Sequence, residues 1–187
     1  MKKNIAVFSS GRGGNFNNLC EYFKNNQKLK IALLITNNLD SMSKQIADKH
    51  NIETIYTNKD IMSSNNFEKN LERKEISFVV LSGFVLKLPE TLISLYEKKI
   101  INLHPSLLPS FGGKGMYGDI VHKAVLASDE KITGITFHFV DEKYDNGDVI
   151  FQKSCSVDEN ETLPSLREKI RLLEYRFFPK VIEETFL

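Results

Sequence analysis

Ile5-Ala6-Val7-Phe8-Ser9-Ser10-Gly11-Arg12-Gly13-Gly14-Asn15 is the stretch on which the fold turns. Its first four residues are apolar without alternation, as in a short strand buried on both faces of a sheet. The run breaks into a turn carrying Gly11, Gly13 and Gly14, after which Leu19, Tyr22 and Phe23 recur at helical spacing. Strand, glycine loop and helix in that order leave free N–H groups at the helix start, beyond the C-terminal end of the strand. Such a place favours an anion, usually a phosphate. The plainer alternative is a βα turn that uses glycine for geometry alone. A P-loop is excluded, because no Gly-Lys-Ser/Thr follows. A dinucleotide fingerprint is disfavoured: Phe16 stands where its third glycine belongs, and Thr36-Asn37-Asn38 offers no acid for a ribose.

The same alternation continues outward. Residues 31–36 (IALLIT), 54–56, 78–81 (FVVL) and 100–103 read as further strands. Between them, residues 41–50, 67–74 and 89–96 read as helices, the last opened by Pro89 at its first helical position. Buried strands separated by helices predict a doubly wound, mostly parallel α/β sheet with right-handed crossovers. The pattern then changes. Residues 132–140 (ITGITFHFV) and 149–157 are longer β-rich runs joined through Asp145-Asn146-Gly147, and predict a strand pair added at the sheet edge. Residues 163–186 predict one long amphipathic helix, with Pro179 as a place to bend. No repeat, linker or low-complexity tract interrupts the chain, which predicts one domain over residues 1–187.

Bulk properties narrow the function classes. The chain has 187 residues, 41% hydrophobic and 26% charged, with a formal net charge of +1. Nothing in that balance draws the protein to nucleic acid or to a membrane surface. Cys20 and Cys155 are too few for a disulfide framework and do not suggest a zinc ribbon. The apolar run at the N-terminus is too short for a signal peptide, and no segment is long enough to span a bilayer. A cytoplasmic protein is expected.

The second informative stretch is Ile101-Asn102-Leu103-His104-Pro105-Ser106-Leu107-Leu108-Pro109. In a strand, Asn102 and His104 face the same side. An amide and an imidazole at the C-terminal end of a central strand are costly unless hydrogen-bonded or used, and that end is where such sheets bind ligands. The residues alone leave two readings open, a catalytic pair or a structural pair that satisfies the turn before Pro105. His104, His122 and His138 are spaced too widely for a local zinc site, so no metal is expected.

INLHPSLLP at 101–109, GITFHFV at 134–140 and YDNGDVI at 144–150 together resemble the folate-dependent formyltransferases, over essentially the whole chain. The resemblance implies a Rossmann-like formyltransferase fold and 10-formyltetrahydrofolate as formyl donor, with no metal. It implies Asn102, His104 and Asp145 as the catalytic group, with His138 in support. His104 would serve as general acid/base, Asn102 as oxyanion donor, and Asp145 would orient the imidazole and raise its pKa. The pterin slot would lie at Val85, Leu86, Lys87 and Leu88 and at Val140, Asp141 and Tyr144. The loop Gly11, Arg12, Gly13, Gly14 and Asn15 resembles that of members acting on glycinamide ribonucleotide. It would hold the phosphate, and Glu174 the ribose. Residues 1–100 would then bind the nucleotide phosphate, and residues 101–187 would carry catalysis and folate, in a monomer or homodimer that feeds purine (IMP) synthesis.

Residues 110–118 (SFGGKGMYG) run longer and richer in glycine than in many relatives and read as a mobile loop over the site. Lys114 there could reach a phosphate or carboxylate, and no catalytic role carries over onto His122. Two other enzyme classes share the resemblance. Members that formylate a charged tRNA add a basic C-terminal β domain, and those that hydrolyse formyltetrahydrofolate add an N-terminal regulatory domain. The net charge and a catalytic sheet starting at Lys3 speak against both. A non-catalytic nucleotide-binding module would keep the glycine loop but has no need of Asn102, His104 and Asp145 together.

Overall fold

The computed structural model describes residues 2–187. Strands β1 (Lys3–Phe8), β2 (Leu29–Thr36), β3 (Glu53–Tyr56), β4 (Ile76–Leu81), β5 (Ile100–His104), β6 (Ile132–Phe139) and β7 (Val149–Ser156) form one seven-stranded sheet. Its order is β3-β2-β1-β4-β5-β6-β7. The first five strands are parallel, whereas β5–β6 and β6–β7 pair antiparallel. This is the doubly wound sheet with an added strand pair that the sequence predicts. The connecting helices are α1 (Gly14–Phe23), α2 (Met42–Lys49), α3 (Lys59–Met62), α4 (Asn65–Arg73), α5 (Glu90–Leu95), α6 (Asp119–Leu126) and α7 (Leu163–Phe186).

Period-two alternation along the buried strands splits the core between the two faces. Ile5 and Val7 join Phe16, Leu19, Phe178 and Ile182 on one face, under α1 and α7. Ala6 and Phe8 join Phe67, Leu71 and Leu92 on the other, over α4 and α5. β1 is therefore apolar from Ile5 to Phe8 because both faces of that stretch are covered, not because it lies in a membrane. No helix of the described residues is long and apolar enough to cross one.

The two ends of the chain meet on the first face. Asn18 Nδ2 donates to the Tyr175 carbonyl at 2.7 Å, and Lys3 Nζ to that of Phe186 at 3.2 Å. The Phe186 ring stacks on Phe78 with centroids 3.8 Å apart. α7 begins in a capping box in which Thr162 and Ser165 satisfy each other's backbone N–H, and it continues through Pro179 without ending.

Three local readings differ. Pro89 stands at the N-cap of α5 rather than inside it, where its extended backbone ends the loop instead of starting the helix. α3 is a single turn capped by Asn58, too short for periodicity to reveal. α6 follows immediately on the glycine-rich residues 110–118 and buries Val121, His122 and Val125. Its apolar stripe is only two turns long, and the glycines before it masked the helix start.

The β6–β7 connection is pinned from both sides. Phe139 N–H donates to the Asp148 carbonyl at 2.9 Å, and Val140 N–H to the Ile100 carbonyl at 3.0 Å. Any Cβ on Gly147 would run into the Phe139 carbonyl oxygen, so the turn closes only around a glycine. Gly147→Ala should cost about 1–3 kcal/mol and lower the melting temperature by roughly 2–12 °C. Gly11→Ala, where a Cβ meets nothing within 4 Å, is the control and should melt near the wild type. Parallel thermal melts of the two variants check this, and equal melting temperatures would count against the close approach.

Candidate active site

The sheet reverses its winding between β1 and β4, and a cleft opens at the C-terminal ends of β1, β4 and β5. That is where an open α/β sheet presents a ligand site. The cleft measures about 870 Å³, enough for a ligand of drug size or larger. It runs from the glycine loop at one end to Asn102, His104 and Asp145 at the other.

Asn102 and His104 end β5, opposite His138 and Thr136 of the antiparallel β6. The turn after β6 carries Asp145 back over them. Asp145 Oδ2 lies 3.4 Å from His104 Nδ1 and accepts the Gly113 N–H at 2.9 Å. Asp145 Oδ1 lies 3.4 Å from Asn102 Nδ2 and 3.6 Å from His138 Nε2. Asn102 Nδ2 also donates to His138 Nε2 at 3.0 Å. Both imidazoles are buried, His104 to 3% exposure and His138 to 2%.

Backbone carbonyls fix which nitrogen of each ring carries a hydrogen. A carbonyl can only accept, so His104 Nε2–H donates to the Phe111 carbonyl at 2.8 Å. The proton that comes and goes is therefore the one on Nδ1, which faces Asp145. His138 Nδ1–H likewise donates to the Phe139 carbonyl at 2.8 Å, leaving Nε2 to accept from Asn102. Phe111 and Asp145, which supply the carbonyl and the carboxylate around His104, both sit at positive φ (56° and 52°). Left-handed backbone at a non-glycine residue is strained and is kept where the surroundings enforce it.

Two opposing effects set the His104 pKa. Asp145 does act to raise the His104 pKa, with help from the Phe111 carbonyl. Burial acts the other way and wins, so His104 lies below the ordinary histidine value. Burial pushes the Asp145 carboxyl up, but His138, His104 and the Gly113 N–H together outweigh it and hold it below the usual carboxylate range. The site thus keeps an ionised carboxylate beside a neutral imidazole.

At the other end, Gly13 is the left-handed N-cap of α1 (φ 68°), and no side chain caps the helix. Its N–H groups are left for a ligand. α2 braces this loop: a Cβ on Gly13 would press on Ile46 and Ser43, and Ser9 and Ser43 hydroxyls share a 2.8 Å hydrogen bond. Asn15 Nδ2 donates to Glu174 Oε2 at 2.8 Å, joining α1 to α7. Glu174 retains some contact with the cleft, yet burial raises its carboxyl to about 7 against the opposing pull of Asn15 and Arg171.

The folate segment divides. Val85, half exposed at 50%, lines the cleft with Leu86, Lys87 and Leu88, and Leu88 is at the same time buried in the second core. Val140, Asp141 and Tyr144 line the cleft too. The Asp141 carboxylate is spent on its own turn, accepting from Lys143 N–H and Asn146 Nδ2. Sequence reading missed Arg171, Arg167 and Asp119 and carried no catalytic role onto His122; all four line the cleft. Arg171 stands one helical turn before Glu174, a spacing that could have found it. Among the described residues no group of three His, Cys, Asp or Glu side chains is arranged to hold a metal ion.

The sequence matches the Formyl transferase family over residues 3–182. The chain belongs to that family. Formyl transferase relatives include the chloroplastic phosphoribosylglycinamide formyltransferase of Vigna unguiculata, 37% identical over 97% of this chain. The phosphoribosylglycinamide formyltransferase of Bacillus subtilis is 34% identical over 97% of this chain and 94% of its own length. The chain spans 60% of the Vigna relative and 64% of a similar one from Arabidopsis thaliana. Among solved formyl transferase structures, that of phosphoribosylglycinamide formyltransferase from Bacillus halodurans superposes with a TM-score of 0.87 at 33% identity. It covers 97% of this chain and 94% of the other.

Two outcomes follow from this geometry. Asp145→Asn keeps the shape of the turn and removes the charge, so the His104 pKa should fall further below its present value. An NMR titration of the histidine rings in both proteins reads this, and an unmoved His104 titration would remove Asp145 from the pair. Glu174 is a carboxyl raised in the folded state, so its contribution to stability is full below 4.5 and lost as pH rises through about 7. Wild type should therefore lose melting temperature relative to Glu174→Gln across that window, and parallel pH curves would show the burial to be harmless.

Proposed function

We propose that this chain transfers the formyl group of 10-formyltetrahydrofolate to the amine of glycinamide ribonucleotide, a step of purine synthesis. The observation that carries the reading is one cleft joining an anion-binding helix start to a buried amide–imidazole–carboxylate group. An acceptor with a phosphate at one end and an amine at the other spans those two features. The Bacillus subtilis relative, which matches along nearly all of its length, supports the same reading.

The residues divide the work as follows. Gly11, Arg12, Gly13, Gly14 and Asn15 hold the phosphate, and Glu174 the ribose. Val85, Leu86, Lys87, Val140 and Tyr144, with the backbone of Leu88 and Asp141, receive the pterin of the donor. The acceptor amine attacks the formyl carbon, and the carbonyl electrons move to oxygen. Asn102 keeps one amide N–H on His138 and gives the other, now 3.4 Å from Asp145, to that oxyanion, a donor of the kind worth about 3 kcal/mol at a transition state. His104 Nδ1 takes the proton that the amine sheds. The bond from the formyl carbon to the folate nitrogen breaks, and a proton returns to that nitrogen. Asp145 stays ionised and stabilises the imidazolium between the two transfers. His138 holds Asn102 in place. We place the reaction in the cytoplasm.

The test is direct. Purified protein, glycinamide ribonucleotide and 10-formyltetrahydrofolate should yield formylglycinamide ribonucleotide, and no product would end the proposal. Gly14→Asp separates the two halves of the site. Its side chain meets nothing within 4 Å of the Cβ, so the fold should hold while a negative charge enters the phosphate loop. The KM for the ribonucleotide should rise about tenfold or more with that for the folate little changed. Equal changes in both would argue against the phosphate assignment.

A further inference from the structure

His122 is a histidine of the cleft that the mechanism leaves without work. It projects from α6, is 6% exposed, and lines the cleft. Its Nδ1 is buried with no hydrogen-bond partner. A buried ring nitrogen without a partner is unusual in a native protein and calls for an explanation. The neighbours explain why the ring stays neutral. Asp119, one turn earlier on α6, is held by Arg167 of α7 through hydrogen bonds of 3.0 and 2.6 Å. Burial lowers the His122 pKa; the nearby Asp119 opposes this, while Arg167 and His104 add to it.

The tautomer follows from what surrounds each nitrogen. An N–H placed on Nδ1 would be buried with nothing to accept it, whereas a bare lone pair there is the lesser loss. Nε2 is not among the buried unpartnered atoms and makes no hydrogen bond within the described residues. It therefore keeps access to the cleft and carries the hydrogen outward. His122 lines the same cleft as Arg12 of the glycine loop and His104.

We propose that His122 is a binding residue for the acceptor substrate, its Nε2–H donating to an oxygen of the phosphoribosyl segment between the glycine loop and His104. The proposal rests on the acceptor reading given above. It assigns to α6 a share in recognising the ribonucleotide, and to a neutral histidine a task that the arginines nearby cannot perform without adding charge.

Three variants and one spectrum test it. His122→Leu keeps an apolar side chain and removes the donor; His122→Gln keeps an N–H at about the reach of Nε2. In the transfer assay, His122→Leu should raise the KM for glycinamide ribonucleotide about tenfold, with kcat and the folate KM within about twofold. His122→Gln should recover most of the loss. Ribose 5-phosphate, titrated by calorimetry, should bind the wild type and bind His122→Leu more weakly, which needs no turnover. Lys123→Ala, on the exposed side of the same helix and outside the cleft, should leave ribose 5-phosphate affinity nearly unchanged. The histidine ¹⁵N spectrum of the wild type should show the Nε2–H tautomer at His122 and a shift on adding ribose 5-phosphate, an arm that stands even where a variant fails to fold. An unchanged acceptor KM, equal rises in both KM values, an Nδ1–H tautomer, or no ribose 5-phosphate binding by the wild type overturns the inference. Wild type that binds ribose 5-phosphate but makes no formylated product sinks the proposed activity instead and leaves His122 a phosphoribosyl contact.

Discussion

One carboxylate organises the reactive end of this molecule. Asp145 touches His104, Asn102 and the backbone N–H of Gly113, and it comes close to His138. These groups belong to β5, β6 and the loop ahead of α6, which no local sequence makes neighbours. Remove the charge and each loses a partner at once: the imidazole its counter-ion, the amide one of its acceptors, the loop its anchor. Burial makes the arrangement consequential, because a half-satisfied polar cluster in such a setting is worse than an apolar one. The strain at Phe111 and Asp145 is maintained by the same contacts.

The antiparallel pairing of β6 on β5 sets how far the chain must travel to do this. In a purely parallel sheet the residues after the next strand would emerge beside the C-terminal end of β5. Here β6 runs back along β5, so the residues following β6 emerge beside the start of β5. The turn at 140–148 must then fold over the sheet edge toward the C-terminal end to bring Asp145 to His104. Gly147 permits the close approach, and the Val140–Ile100 hydrogen bond fixes its base.

Much of this was legible in the sequence. Period and composition suffice for the buried strands: nothing but a doubly covered sheet suits both IAVF and IALLIT. The long helix at Leu163–Phe186 could be read from its cap and its length. Asn102 and His104 could be paired by strand geometry, yet their use could not, since the partner lies 43 residues away from Asn102. Only a resemblance bridged that gap. What stayed hidden was of two kinds. α6 and His122 follow a run of glycines that reads as loop, and burial of a ring depends on tertiary neighbours. The direction of the His104 pKa shift likewise required a contest between desolvation and a nearby charge, and no sequence pattern weighs the two.

The joining of α1 to α7 has a bearing on how the protein is made. Asn15 and Glu174, which share a hydrogen bond at the phosphate end of the cleft, are separated by 159 residues. On a ribosome the glycine loop emerges early and waits, at the usual pace of synthesis of about 5–20 residues per second, for a helix that arrives many seconds later. Until then the loop has only α2 behind it. The binding end of the cleft is therefore the last part of the fold to be completed, and a truncated product that lacks α7 would leave one apolar face of the sheet uncovered and present no finished site to a substrate.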